Sequence, residues 1–193
     1  MSEVHSVAVF CGSSAGNDPA HAAAAARFGT ALAKAGMRLV YGGGKVGLMG
    51  VIADAVIAAG GTVIGVIPEF LRAREVAHPG ISETIVTDSM HTRKRRMFDL
   101  ADAFVALPGG LGTFDETFEI LTWRQLKLHD KPILICDLNG AFTPLIATID
   151  AAIAGGFARS EARGLFEVTD SVEATIERLR HLATVRGGAS ALL

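Results

Sequence analysis

Short apolar runs alternate with helical patterns along the 193-residue chain, and this alternation predicts an α/β fold on a parallel sheet. Two further observations support it. Glycine-rich loops follow strand-like runs at residues 12–16, 42–47 and 109–112. Hydrophobic residues make up 50% of the chain and charged ones 20%, enough apolar material for a sheet covered on both faces.

Each element follows from local pattern. Residues 7–11 (Val-Ala-Val-Phe-Cys) read as a buried strand. Asp18 and Pro19 supply the N-cap and first position of an alanine-rich helix that reaches Lys34 and stops at Gly36. A second strand covers 38–41, a loop 42–44 and a second helix 48–59. The third strand, 62–67, is ended by Pro68. An irregular segment with Arg72, Arg74, Glu75 and Pro79 precedes a short strand at 84–86. Then come a helix over 89–101, a strand over 103–107, a helix over 113–128, a strand over 133–136 and a helix over 142–154. A weak strand near 165–168 and a helix over 171–182 close the chain. The whole is predicted to be a Rossmann-like doubly wound parallel sheet with helices on both faces. One domain is expected over 1–186, followed by a flexible tail at 187–193. Ligands of such folds bind beyond the carboxyl ends of the strands, where all three glycine loops fall.

Bulk properties narrow the function. A net charge of −2 and a pI near 6.3 argue against general binding to nucleic acid or to a membrane surface. Mean hydropathy is high at +0.38, yet no apolar run approaches the ~18 residues that span a bilayer. A buried subunit interface is the expected use of the excess. The start, Met-Ser-Glu-Val-His, lacks the basic and apolar blocks of a signal peptide, so a cytoplasmic location is expected. Cys11 and Cys136 lack metal-ligand spacing, and no metal site is expected.

The loop Pro108-Gly109-Gly110-Leu111-Gly112-Thr113 carries the strongest chemical signal. A strand ends in a glycine-rich turn that opens into a helix, leaving backbone N–H groups at the positive end of the helix dipole. That arrangement suits a phosphate. Asp115 and Glu116 are expected in the first turn of this helix, beside that phosphate. Thr113-Phe114-Asp115-Glu116 also fits a capping box, with Thr113 as N-cap; the two roles are compatible.

The loop over 42–47 satisfies G-x-G-x-x-G between a strand and a helix, with Glu69 about twenty residues on. It follows the second strand rather than the first, and Pro68 sits awkwardly for ribose recognition. A redox dinucleotide is therefore discounted. So is a Walker A loop, since the upstream glycine is missing at the needed spacing.

A second cluster, Met90-His91-Thr92-Arg93-Lys94-Arg95-Arg96-Met97, is helical. Arg95 pairs with Asp99 on the surface. Arg93 and Lys94 instead share a stripe with Met90, Met97, Leu100 and Ala101, which turns them inward. Buried cations need an anionic partner, either the loop carboxylates or a bound phosphate.

With these residues in view, the chain resembles the LONELY GUY family. Residues 108–116 match its PGGxGTxxE signature and residues 90–94 its MHxRK motif. The resemblance runs through residues 10–14, 41–44, 47–50 and 122–126, covering roughly residues 7–180. It implies hydrolysis of the N-glycosidic bond of an adenine-type nucleoside 5′-monophosphate, with no cofactor. It implies that Arg93 and Glu116 are the catalytic pair. Glu75, Lys94, Gly109, Gly110, Leu111, Gly112, Thr113, Asp115 and Thr122 fall where the family contacts substrate. Asp115 stands where the family usually has glutamate. Family members pair through helices and share residues across the interface, so a homodimer or a higher multiple of one is expected. They were long labelled lysine decarboxylases, but the sequence offers no pyridoxal phosphate site. A non-catalytic nucleotide or cofactor carrier on the same fold is the rival reading, disfavoured by the retention of Arg93 and Glu116.

Overall fold

The computed structural model describes residues 4–72 and 76–185, with side chains to residue 182. Among the described residues seven strands form one sheet: β1 (Ser6–Phe10), β2 (Arg38–Tyr41), β3 (Val63–Pro68), β4 (Glu83–Thr87), β5 (Ala103–Ala106), β6 (Ile133–Cys136) and β7 (Glu167–Thr169). Their order is β4-β3-β2-β1-β5-β6-β7, and every adjacent pair is parallel. The six α-helices among the described residues are α1 (Pro19–Lys34), α2 (Gly47–Ala58), α3 (Met90–Leu100), α4 (Leu111–Gln125), α5 (Thr143–Ala154) and α6 (Val172–Val185).

Alternate residues of β1 show why both faces need cover. Val7 and Val9 pack with Phe28 and Leu32 of α1, Ile52 of α2 and Leu179 of α6. Ala8 and Phe10 point the other way, toward Met97 of α3, Ile120 and Leu121 of α4 and Leu145 of α5. The period-two alternation of a strand thus produces two cores from one apolar run. On the first face α1 and α2 approach closely at Gly29, where a Cβ would lie 2.6 Å from the Ile52 carbonyl oxygen. Strand order reverses between β1 and β5, and the loops leaving these two strands open the crevice that such sheets offer to ligands.

Strands β2 and β6 coincide with the sequence reading, and Asp18 caps α1 by accepting from the Ala20 amide at 2.8 Å. Helix α4 departs from it. Its N-cap is Gly110, without a side-chain cap, and its first turn contains no acidic residue. The first hydrogen bond runs from the Phe114 amide to the Gly110 carbonyl at 3.1 Å. Gly112, read as loop, is helical, because glycine is compatible with the first turn where no side chain is needed to cap. The capping box is therefore overturned. Thr113 is buried, and Asp115 and Glu116 occupy the second turn rather than the first. The helix ends at Gln125, short of residue 128, and Lys127 follows in the left-handed region at φ 62°. Strand β7 begins two residues later than expected because residues 160–165 form a 3₁₀ turn. The expected tail at 187–193 lies outside the described residues, as do Arg74 and Glu75.

His129 is wedged beside Phe98 and Phe104, at ring-centroid distances of 5.1 and 5.8 Å, with Nε2 on the Ile120 carbonyl at 3.0 Å. Burial pushes its pKa down, opposed by that hydrogen bond and reinforced by the charges of Arg124 and Lys131. The unfolded chain therefore binds this proton more tightly, and stability falls as pH drops below the ordinary histidine value of 6.5. His129→Phe, which keeps the ring packing, is expected to flatten the decline in urea-unfolding free energy between about pH 6.5 and 5. An unchanged slope would mean that another group titrates.

Candidate active site

Backbone contacts draw the three glycine loops together. Gly12, just beyond β1, donates its N–H to the Pro108 carbonyl at 3.0 Å, and its own carbonyl accepts from the Leu48 and Met49 amides at 3.0 and 3.3 Å. Gly47 permits this, with φ at 63° and a missing Cβ that would sit 2.3 Å from the Ser13 carbonyl carbon. The first positions of α2 are thus committed to the protein itself. The Leu48 and Met49 amides are therefore not available to a pyrophosphate. Glu69, the supposed ribose ligand of the G-x-G-x-x-G match, instead pairs with Arg72 on the surface at 3.0 Å.

Helix α4 has the opposite disposition. Among the described residues, no protein acceptor meets the amides of Leu111, Gly112 and Thr113. These residues border a cavity of about 200 Å³, together with Ser13, Met49, Leu71, Met90, Arg93 and Glu116. A second cavity, of about 340 Å³, shares Ser13 and Gly110 with the first and is bordered by Ser14, His21, Leu48 and Gly109. The smaller cavity falls below the roughly 300–1,000 Å³ that encloses a drug-sized ligand, whereas the larger reaches that range.

Arg93 is 5% exposed. Its Nη2 donates to the Gly42 carbonyl at 3.1 Å, and its Nη1 lies 3.8 Å from the Met90 sulfur. A Cβ on Gly42 would lie 2.0 Å from Nη2, so this glycine is required by the guanidinium rather than by a turn. Half-buried Glu116 borders the same cavity. On the floor beneath them Cys11 is buried; burial first, and then the Glu116 charge, push its thiol up and keep it protonated.

Lys94 turns to α4, with Nζ 3.1 Å from both Asp115 and Glu119. Burial disfavours its charge, but the hydrogen bonds to Glu119 and Asp115 prevail and raise its pKa. The sequence-predicted residues therefore divide. Arg93, Glu116, Gly110, Leu111, Gly112 and Thr113 border the smaller cavity, and Gly109 the larger. Lys94 and Asp115 pair beside it, while Thr122 lies exposed near Phe118 with its hydroxyl on the Phe118 carbonyl at 2.8 Å. Sequence reasoning missed Met49, Leu71 and the carbonyl of Gly42. Only the last had a signal, in the glycine run itself.

Comparison with known proteins fits this arrangement. A family model described as "possible lysine decarboxylase" matches residues 49–179. The cytokinin riboside 5′-monophosphate phosphoribohydrolase of Rhodococcoides fascians is 45% identical over 176 residues, 91% of this chain and 89% of that one. An Arabidopsis thaliana protein of the same name is 43% identical over 173 residues, 90% and 81% of the two chains. The chain belongs to the LONELY GUY family. Its fold also matches the molybdenum cofactor carrier protein of Chlamydomonas reinhardtii, with a TM-score of 0.69 at 21% identity over 94% of this chain and 99% of that one. At that identity the likeness is one of fold alone.

The decarboxylase description of the family does not suit these residues. A Schiff-base lysine needs a depressed pKa, and Lys94, the lysine beside the cavity, has a raised one and two carboxylate partners. Gly42→Ala is expected to dislodge Arg93 and lower turnover at this site about 100-fold, the usual effect of misplacing a reacting group by an ångström. Circular dichroism checks that the variant folds, and full turnover in a folded variant would show that Arg93 does not depend on the loop.

Proposed function

We propose that the protein hydrolyses the N-glycosidic bond of adenine-type nucleoside 5′-monophosphates, releasing free base and ribose 5-phosphate. The observation that carries this reading is the shared cavity of Glu116, Arg93 and the unpaired amides at the start of α4. The amides of Leu111, Gly112 and Thr113 take the 5′-phosphate, a dianion suited to the positive end of a helix. Glu116 is three to five residues further along the helix, roughly 4.5–7.5 Å at about 1.5 Å per residue, which leaves room for one ribose between phosphate and carboxylate.

Cleavage passes through an oxocarbenium-like state at C1′. Glu116 stabilises that charge or takes a proton from the attacking water. The C1′–N bond breaks toward the base, the water oxygen bonds to C1′, and a proton goes to the departing nitrogen. Arg93, fixed on Gly42, orients Glu116 or meets the leaving base. Phosphate binding remote from the breaking bond contributes to lowering the barrier. Similarity to the named phosphoribohydrolases supports the same substrate class. The carrier reading has only a fold-level likeness behind it.

The test is base release followed by chromatography, with adenosine 5′-monophosphate and adenosine compared. Release from the nucleotide and not the nucleoside is expected, and Glu116→Gln should retain binding but lose turnover by about 100-fold or more. Equal rates on nucleotide and nucleoside would remove the role of the loop, and a normal rate in the variant would remove that of Glu116.

The same reading includes a homodimer. Leu111, Asp115, Phe118 and Thr122 recur at helical spacing on one side of α4. Leu111 is 86% exposed there, with Phe118, Leu126 and Leu128 also exposed. A second copy over this face would bury these side chains and bring Thr122 toward the neighbouring site, as the family resemblance implies. The free thiols of Cys11 and Cys136 agree with a reducing, cytoplasmic compartment. Light scattering at low micromolar concentration is expected to give the mass of a dimer or of a multiple of it. A mass near the 20.1 kDa of one chain, with full activity, would sink the proposal.

A further inference from the structure

His78 is among the few polar side chains buried in the molecule, at 6% exposure, and the chemistry described above does not use it. Its Nδ1 accepts from the Gly80 amide at 3.1 Å. The ring proton is therefore on Nε2, which donates to Asp54 Oδ1 of α2 at 3.0 Å. Both nitrogens are engaged, and the tautomer is fixed by its two partners.

The backbone around this imidazole leads to the site. The His78 amide donates to the Gly43 carbonyl at 3.0 Å, and the Lys45 amide to the Val76 carbonyl at 2.9 Å. Ala77 and Gly44 form an antiparallel bridge between these bonds. Residues 76–78 are thus a short brace laid along residues 43–45. Val76 holds φ at 47°, a left-handed conformation that β-branched residues rarely adopt, so the brace is kept in place against its local preference. One residue before the braced loop, the Gly42 carbonyl receives Arg93 Nη2. Space there is short: a single added carbon on Gly42 would meet the guanidinium at 2.0 Å.

We propose that His78, pinned to α2 by Asp54, is a positioning residue that holds the loop 42–44 in register and through it fixes the Arg93 guanidinium. The proposal rests on the phosphoribohydrolase reading. His78 touches neither substrate nor reacting atoms. Its effect is to keep the Gly42 carbonyl within hydrogen-bond reach of Arg93, so its loss acts on turnover more than on binding, because the phosphate is held separately by α4.

The test measures kcat and KM for adenosine 5′-monophosphate in the wild type, His78→Leu, His78→Asn and Leu145→Ala. Leu145 is a core residue of α5 that borders neither cavity, and its truncation serves as a control for destabilisation alone. His78→Leu is expected to lower kcat by roughly tenfold or more, with KM changed much less. His78→Asn, whose amide oxygen can replace Nδ1 as acceptor for Gly80, should recover part of the loss. Leu145→Ala should lower the melting temperature while keeping kcat, measured where every variant is folded. A wild-type kcat in His78→Leu overturns the proposal, as does an equal loss of kcat in Leu145→Ala. A loss seen entirely in KM overturns it too. A wild type that releases no base overturns the functional reading and this one together.

Discussion

The hydrogen bonds of Gly12 are the constraint on which the site depends. One buried residue joins three loops: its amide holds the loop after β5, and its carbonyl takes the first amides of α2. A Cβ there would stand 2.7 Å from the Ser14 carbonyl oxygen, so the junction admits only glycine without rearrangement. Because α2 begins on this carbonyl, its positive end is neutralised by the protein. Helix α4 begins on the neighbouring loop with its amides still available. Two glycine-rich turns of similar appearance thus acquire different roles from a single buried peptide group. Only one of them can receive an anion at full strength.

Adjacent cations on α3 divide in the same way. Arg93 and Lys94 are consecutive and both turn inward, yet they serve different helices. Lys94 lies between Asp115 and Glu119, one turn apart on α4, and ties α3 to the helix whose first amides border the cavity. Arg93 reaches back to the loop after β2. A planar guanidinium suits the edge of a carbonyl, whereas a compact ammonium is well satisfied by two carboxylates. The pairing also leaves Glu116 as the acidic residue of this stretch of α4 that borders the cavity. Were Lys94 in the cavity instead, its charge would compete with the developing cation at C1′.

Much of this was legible in the sequence, for identifiable reasons. The buried strands are short apolar runs with clear stops, so β2 and β6 are read to the residue, and the Asp18–Pro19 start of α1 has a cap with one meaning. Convergence of the glycine loops followed from the parallel topology alone. The start of α4 was misread because Thr113 looks like a cap by spacing, whereas its burial, set by tertiary contact, takes the side chain out of that role. Leu71 and Met49 enter the site through folding of segments distant in sequence, and no local pattern marks them. His78 is similar: a histidine among loop residues says nothing until Asp54, twenty-four positions earlier, is found beside it.

The two sides of α4 differ in burial. Its buried side, with Thr113, Thr117, Ile120 and Leu121, packs on the sheet. Glu116 lies at the edge of that side, half-buried and next to the cavity. The opposite side carries Leu111, Phe118 and, past its end, Leu126 and Leu128, all exposed. Such side chains are not needed to complete either core, since both clusters close without them. Leu111 alone of these borders the cavity, and exposed apolar side chains grouped on one helix face are characteristic of interaction sites rather than of solvated helices. Covering them would also remove water from beside Leu111, which borders the cavity. Lowering the local dielectric there strengthens the attraction between helix dipole and anion. In the proposed dimer, cover of the apolar face and strength of the proposed anion site would therefore be coupled through the same first turn of α4.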